Sequence, residues 1–531
     1  MSNLWTKLKS VRFTTYLIIV LFILVVAKMF IKPKQERLPV QSNSWSKLEL
    51  ILGQLEKNYV DTINYKDVTE QAIPFILEKL DPHSVYLPPQ ELKEADEALE
   101  GNFDGIGIQF NVPEDTAIVA TVIPGGPSER AGLMSGDRII KVGGRNVAGV
   151  KIDQDTLVSL MRGPSGSEVV IHVGRKGEAN LIPFTIKRDK IPVKSVDVIY
   201  MINDSTGYAR LSKFARTSYK EFMEGVTPLL SKGMKSIIFD LRDNTGGYFD
   251  QALLLANEFL SKGELIVYME GLHRARQDFY ADGRGKLQKI GLSVLINENS
   301  ASSSEIFAGA IQDNDRGEII GRRSYGKGLV QEPIYFSDMS GIRLTVARFY
   351  TPTGRSIQRP YDGEEEYRED IIERYRHGEM MVADSIRKNE DLKYTTSQGK
   401  VVYGGGGIIP DVFVPIDTTG VSEMLIRINR QSLQFKYSIK KADQYRKSLM
   451  NIHDLASLNT LLSQMNLEQD FLDYIRNAGI PFNKKDWDIS GDIIMTQIRA
   501  YIGRNTPMDD NAFYPLISPL DNVIQAALGM E

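Results

Sequence analysis

Two short apolar runs, each followed by a turn and then by a helical pattern, constrain this chain more than anything else in its sequence. Ser236–Leu241 reads as an apolar strand, passes through a glycine turn at Gly246-Gly247, and continues as a helix through Leu260. Leu292–Asn297 is a second apolar strand, followed by a helix from about Ser303 to Gln312. Repeated strand–turn–helix units favour a layered α/β core with parallel pairings.

The core predicted this way spans residues 190–418. It leaves much of the 531-residue chain unaccounted for. Roughly 100–200 residues per domain gives three or four units. Residues 1–32 read as a cytoplasmic tip and signal anchor. Lys7, Lys9 and Arg12 precede an apolar run from Phe13 to Ala27, and Met29–Ile31 extend it past Lys28 to about the 20 residues that span a bilayer. No small-x-small cleavage site follows, so the expectation is an uncleaved single-pass anchor in the inner membrane. The catalytic part would lie on the exported, periplasmic side. Basic residues flank the run on both sides, so orientation rests on there being no second span.

Residues 33–100 form a linker and a helical region. Leu48, Ile51, Leu52 and Leu55 share one helix face, and Ile73, Ile76, Leu77 and Leu80 another, before Asp81-Pro82-His83-Ser84 breaks the run. Residues 101–189 are β-rich, with short β-branched runs between Gly and Pro. Residues 361–400 are a charged, partly helical excursion. Residues 419–531 are helical and carry no recognisable chemistry.

Several function classes are excluded. The net charge of −4 and the lack of a basic cluster give no case for nucleic acid. The absence of cysteine removes disulfides, thiol nucleophiles and cysteine-based metal sites. Neither a metal nor a cofactor is expected. Gly321 to Lys327 matches G-x-x-x-x-G-K, but Gly328 replaces the required Ser or Thr and a strand follows instead of a helix, so it is no phosphate loop. Asp313-Asn314-Asp315 resembles the start of a calcium loop, yet Ser324 occupies position 12 where Glu is needed.

Four constellations remain. Ser302, with Glu305 three residues on, forms a capping box that starts a helix. A helix start also offers unpaired N–H groups, among them that of Ser303, to an oxyanion forming beside a serine. A serine needs a base, and only five histidines are present: His83, His172, His273, His377 and His453. None is placed by sequence near the serine loop; His273 is nearest. Lys327 sits between Gly326 and Gly328, and in an extended segment Lys327, Leu329 and Gln331 share a face, so Gln331 can accept a hydrogen bond from the amine. Asp240 to Gly247 is a strand-to-helix turn in which Gly247 can present a backbone N–H. Gly105-Ile106-Gly107-Ile108, together with Gly132-Leu133 and Gly136-Asp137-Arg138-Ile139, fits a PDZ loop whose amides receive a peptide carboxylate.

The order of these motifs resembles that of the C-terminal processing peptidases, or tail-specific proteases. The matching stretches are Leu80–Ser84, the PDZ pair, Asp240–Gly247, Ser300–Glu305, Tyr325–Gln331 and Gly406–Asp411, over roughly residues 45–415. The resemblance implies a crotonase-like α/β protease core with an inserted PDZ domain. It implies Ser302 as nucleophile, Lys327 as general base, Gln331 as the residue orienting it, and the Gly247 and Ser303 N–H groups as oxyanion donors. Asp313 matches an acidic position in some members, with a helix-end structural role competing. Ser303 stands where the family usually has Ala, and Tyr325 where it has Phe. The expected partners are protein or peptide substrates with a free C-terminus, with the oligomeric state, including a homo-oligomer, left open. A catalytically silent PDZ scaffold or chaperone-like binder is the alternative.

Overall fold

The computed structural model describes residues 20–22, 45–112, 115–123, 125–361 and 364–529. It divides into two compact units, Met1–Ala72 and Ile73–Glu531. The first contains the helix Trp45–Asn58 and the start of the helix Tyr65–Glu78. The expected membrane anchor and periplasmic localisation are corrected here: among the described residues no helix is long and apolar enough to cross a membrane. Most of the segment 13–31, and the linker 33–42, lie outside the described residues.

The second unit is built on a six-stranded sheet. Its members are β1 (Val196–Met201), β2 (Thr206–Leu211), β3 (Ser236–Asp240), β4 (Gly291–Ile296), β5 (Glu318–Gly321) and, far along the chain, Val412–Phe413, side by side in that order. β1 runs antiparallel to β2 and every other pairing is parallel. Helices α1 (Ser218–Ser231), α2 (Phe249–Phe259) and α3 (Ser303–Asp313) follow β2, β3 and β4. Alternating side chains explain why the strands read as unbroken apolar runs. Ile237 and Phe239 of β3 and Val294 and Ile296 of β4 enter a core with Phe222, Phe259 and Phe307 from the three helices. Ile238 and Leu295 point to the opposite face, where Val523 and Ile524 of α5 (Asn522–Ala527) cover them.

A second, antiparallel sheet is centred on β7 (Gly341–Tyr350), flanked on one side by β6 (Leu329–Tyr335) and on the other by Leu265–Gly271 and Val85–Leu87. The helical expectation for 33–100 is therefore interrupted by a strand. Asp81-Pro82 disfavours helix at the residue before proline, and the chain after it pairs with Gly341–Arg343. The excursion after residue 360 contains α4 (Glu364–Arg376) and a small hairpin, Lys393–Thr395 with Val401–Tyr403.

Residues 106–188 hold a separate antiparallel sheet around Val119, Ile139, Ile171 and Ile186. Its edge strands are Ile108–Asn111 and Ile182–Lys187. The chain enters and leaves through a two-stranded neck, Asn102–Gly105 against Asp189–Pro192. Helices from Glu423–Arg430 to Asp510–Ile517 pack around Phe471, Ile475, Ile494 and Ile498.

Candidate active site

The loop joining β4 to α3 brings Ser302 to the helix start. Its backbone has φ 55° and ψ −114°, a sparsely populated region for a residue with a side chain. Such strain persists only where neighbours hold it, and Glu305 does so by accepting the Ser302 N–H at 2.9 Å. The expected capping box is formed, with its carboxylate half holding the Ser302 backbone.

Glu305 does more than cap. Fully buried, its carboxylate also accepts the Ser324 hydroxyl at 2.5 Å and the N–H groups of Gly326 at 2.7 Å and Lys327 at 2.9 Å. Burial pushes this carboxyl above the usual range despite those four donors. One side chain thereby fixes the backbone of Ser302 and of Lys327 together. Sequence reading gave Glu305 only the cap, because a fold brings the lysine loop to it and spacing does not.

Lys327 lies in the loop before β6, not within it. A bulge between Val330 and Gln331 breaks the simple alternation, yet the amine still donates to Gln331 Oε1 at 2.8 Å. The Gln331 amide nitrogen donates to the His83 carbonyl, which fixes its oxygen toward the lysine. Burial lowers the Lys327 pKa to about 8, with Arg343 lowering it further and Glu305 and Asp81 opposing. His83, not His273, is the histidine beside this site: His273 is exposed in a hairpin turn. The His83 backbone is held by Asp81 at 2.8 Å, and its Nε2 meets the Tyr367 hydroxyl at 2.5 Å. Burial, then the Lys327 charge, lowers its pKa to about 4, so the ring is neutral at neutral pH.

Gly246 sits against Ser302 and Gly247 against Phe214. A Cβ on Gly246 would lie 2.8 Å from Ser302 Cβ, and one on Gly247 would overlap the Phe214 carbonyl. Both have positive φ, 102° and 142°, which only glycine adopts readily. Phe214 bridges to Gly247 in parallel, bonding Gly246 O and Tyr248 N, so the Gly247 N–H faces the other way. Among the described residues no acceptor engages the N–H of Gly247 or of Ser303. The Ser303 hydroxyl donates to the Gly247 carbonyl at 3.0 Å, tying the two segments together. Buried Asn244 completes the seam: its amide oxygen accepts Gly246 N–H at 2.9 Å and its carbonyl accepts Ala301 N–H at 3.0 Å.

Asp313 is not brought to this cluster. At the far end of α3 it pairs with fully buried Arg355 at 2.6 Å and accepts the Thr353 hydroxyl at 2.7 Å. In the β-rich region, the carbonyls of Ile106 and Gly107 are used internally by Ser128 and Ile123. Among the described residues the N–H groups of Ile106 and Gly107 have no acceptor.

Comparison with known proteins decides the family. The profile of Peptidase family S41 matches residues 205–364, that of the PDZ domain residues 105–186, and a family of unknown function residues 424–506. The carboxy-terminal processing protease CtpA of Bacillus subtilis is 33% identical over 318 residues, 60% of this chain and 67% of that protein. The carboxy-terminal-processing protease of Bartonella bacilliformis is 34% identical over 312 residues, 58% of this chain and 71% of that one. The chain belongs to peptidase family S41, the carboxy-terminal processing proteases. A solved photosystem II D1 C-terminal processing protease is 26% identical, covering 71% of this chain and 88% of its own, with a TM-score of 0.38. The chain is thus a serine-type C-terminal processing protease of mixed α/β fold, with an inserted PDZ domain and a helical C-terminal region.

Proposed function

We propose that this protease recognises the free C-terminal tail of its substrate through the PDZ domain and cleaves with a Ser302–Lys327 pair. The PDZ domain would take residues 101–189, the protease core 190–418 and the helical region 419–531. The single observation that carries the reading is a lysine amine buried against a neutral amide, at a loop whose backbone shares the Glu305 carboxylate with Ser302. An amine with a pKa of about 8 is neutral in a useful fraction of molecules near neutrality, whereas an ordinary lysine is not.

In this mechanism Lys327 takes the Ser302 proton as Oγ attacks the scissile carbonyl. The carbonyl oxygen becomes an oxyanion between the N–H groups of Gly247 and Ser303. The ammonium then returns the proton to the leaving amine, the C–N bond breaks, and an acyl-serine remains. Water, losing its proton to Lys327, attacks the acyl carbon, the C–Oγ bond breaks as the ammonium returns that proton to Ser302, and the new C-terminus leaves. Gln331 keeps the amine aimed and offers no charge that would hold the proton on it. The PDZ amides of Gly105 to Ile108 receive the substrate carboxylate, and the free edge Ile108–Asn111 pairs with the tail.

Groups acting as one unit give non-additive losses. Ser302→Ala, Lys327→Ala and the double variant should therefore be equally inactive on an unstructured polypeptide while remaining folded. Turnover by folded Ser302→Ala would end the assignment.

A further inference from the structure

The charged excursion after residue 360 packs on the segment that carries Lys327. On α4, Tyr367, Asp370 and Arg374 fall at i, i+3 and i+7, one inward face. Arg374 is 1% exposed and donates to the carbonyls of Ser324 at 2.7 Å and Tyr325 at 3.3 Å, while its Nε lies 2.8 Å from Asp370. Asp370 also receives Arg359 at 2.5 Å. The Arg359 guanidinium lies 4.1 Å from the Tyr325 ring and 3.8 Å from the Tyr367 ring, and the Arg359 backbone N–H donates to the Gly326 carbonyl at 3.1 Å. Tyr367 meets His83 Nε2 at 2.5 Å, the His83 carbonyl holds the Gln331 amide, and Gln331 holds Lys327 at 2.8 Å.

A buried guanidinium is unfavourable unless fully partnered. A solvated surface helix has no need to bury one against the carbonyls of another loop. We propose that α4 is a positioning element for Lys327, with Arg374 gripping the lysine loop on its N-terminal side and Tyr367 bracing the Gln331 side through His83. The inference rests on the Ser302–Lys327 reading and adds to it the residues that keep the amine placed and dry. Lys327 is faced by Glu305 from α3, Arg343 from β7, and Asp81 and His83 from the loop before Val85–Leu87. None of these lies on α4, so loosening α4 alters water access and aim without deleting a charge beside the amine.

The experiment compares Tyr367→Phe, which keeps the ring that Arg359 stacks on, and Arg374→Gln with the wild type, alongside Ser302→Ala and Lys327→Ala. The readouts are kcat and KM on an unstructured peptide, the pH limb of kcat/KM, and the thermal midpoint. Expected are a kcat about ten-fold lower with KM unchanged and a limb moved up by about one pH unit, toward ordinary lysine. A folded Tyr367→Phe with wild-type kcat and limb overturns the proposal. So does a fall in activity with the limb unmoved, since a merely structural role predicts that. Tyr367→Phe alone decides if Arg374→Gln fails to fold. Turnover by folded Lys327→Ala removes the underlying reading and this inference with it, whereas inactive Lys327→Ala beside wild-type-like α4 variants removes the inference alone.

Discussion

A lysine can serve as a base near neutral pH only if water is kept from it, and the same exclusion works against folding. Lys327 titrates near about 8 in the fold against 10.5 for a free side chain. With Lys327 as the proposed base, kcat/KM should rise with pH through an apparent value of about 8. No second limb near the ordinary histidine value is expected, because His83 sits at about 4. A pH–rate profile with a limb near 6.5 that vanishes in His83→Gln would contradict this. For stability the sign is opposite to that of a salt-bridged lysine. Between about 8 and 10.5 the unfolded chain binds more protons than the fold, so stability rises with pH there and the full penalty applies below about 8. Lys327→Met should accordingly be inactive yet more stable at pH 7, by roughly 1–3 kcal/mol, less whatever is lost by stranding Gln331. Urea denaturation measures it; a less stable Lys327→Met would show the amine is not strained by burial. Gly247 offers a second test of single positions. Gly247→Ala should lower kcat by about a hundred-fold or more, as loss of an oxyanion donor does, because a Cβ there displaces the segment from Phe214. Near-normal kcat would separate Gly247 from the chemistry.

The helix α3 joins two tasks at its two ends. Its start carries Ser302 and Glu305; its end carries Asp313, locked to Arg355 with neither side chain exposed. Removing one member of a buried pair strands the other, typically at 3–5 kcal/mol. Asp313→Ala should therefore lower the denaturation midpoint by that order, and an unchanged midpoint would argue that Asp313 has no structural duty. The elements of the core were legible because both faces of β3 and β4 are buried and their turns are marked by Gly246-Gly247 and by Ser302. Ser302 and Lys327 were legible as candidates because each stands beside a break in an apolar pattern, and Gln331 because period 2 puts it on the face of Lys327. Glu305, His83 and Arg374 were not readable as partners of the lysine. Their roles come from contacts between segments far apart in sequence, and no local periodicity records those. Asp313 looked equally suited to either role until its distance along α3 from Ser302 was fixed by the helix itself.

At the scale of the molecule, the PDZ domain hangs on the neck of Asn102–Gly105 and Asp189–Pro192. It also touches the C-terminal helices through Arg138 and Asp443, 2.8 Å apart and partly exposed. A pair of that kind contributes about 0.2–1 kcal/mol, and Arg162 adds a second ion pair, to Glu97 at 3.5 Å. Replacing residues 106–188 by a short glycine linker should leave a folded protease that cleaves acid and amide forms of a peptide equally. The intact protein should prefer the free acid in kcat/KM; equal rates for both forms would dismiss tail recognition by the carboxylate. The face of the central sheet opposite α1–α3 has another tether: Arg242, in the turn that leads to Gly247, is ion-paired at 2.8 Å to Asp521, beside the α5 residues that cover Ile238 and Leu295. On a ribosome, Ser302 and Lys327 emerge long before that covering helix does. On the proposed reading, a half-made chain would carry its nucleophile and base beside a sheet still bare on one side, because the residues that cover Ile238 and Leu295 come from the far end of the chain.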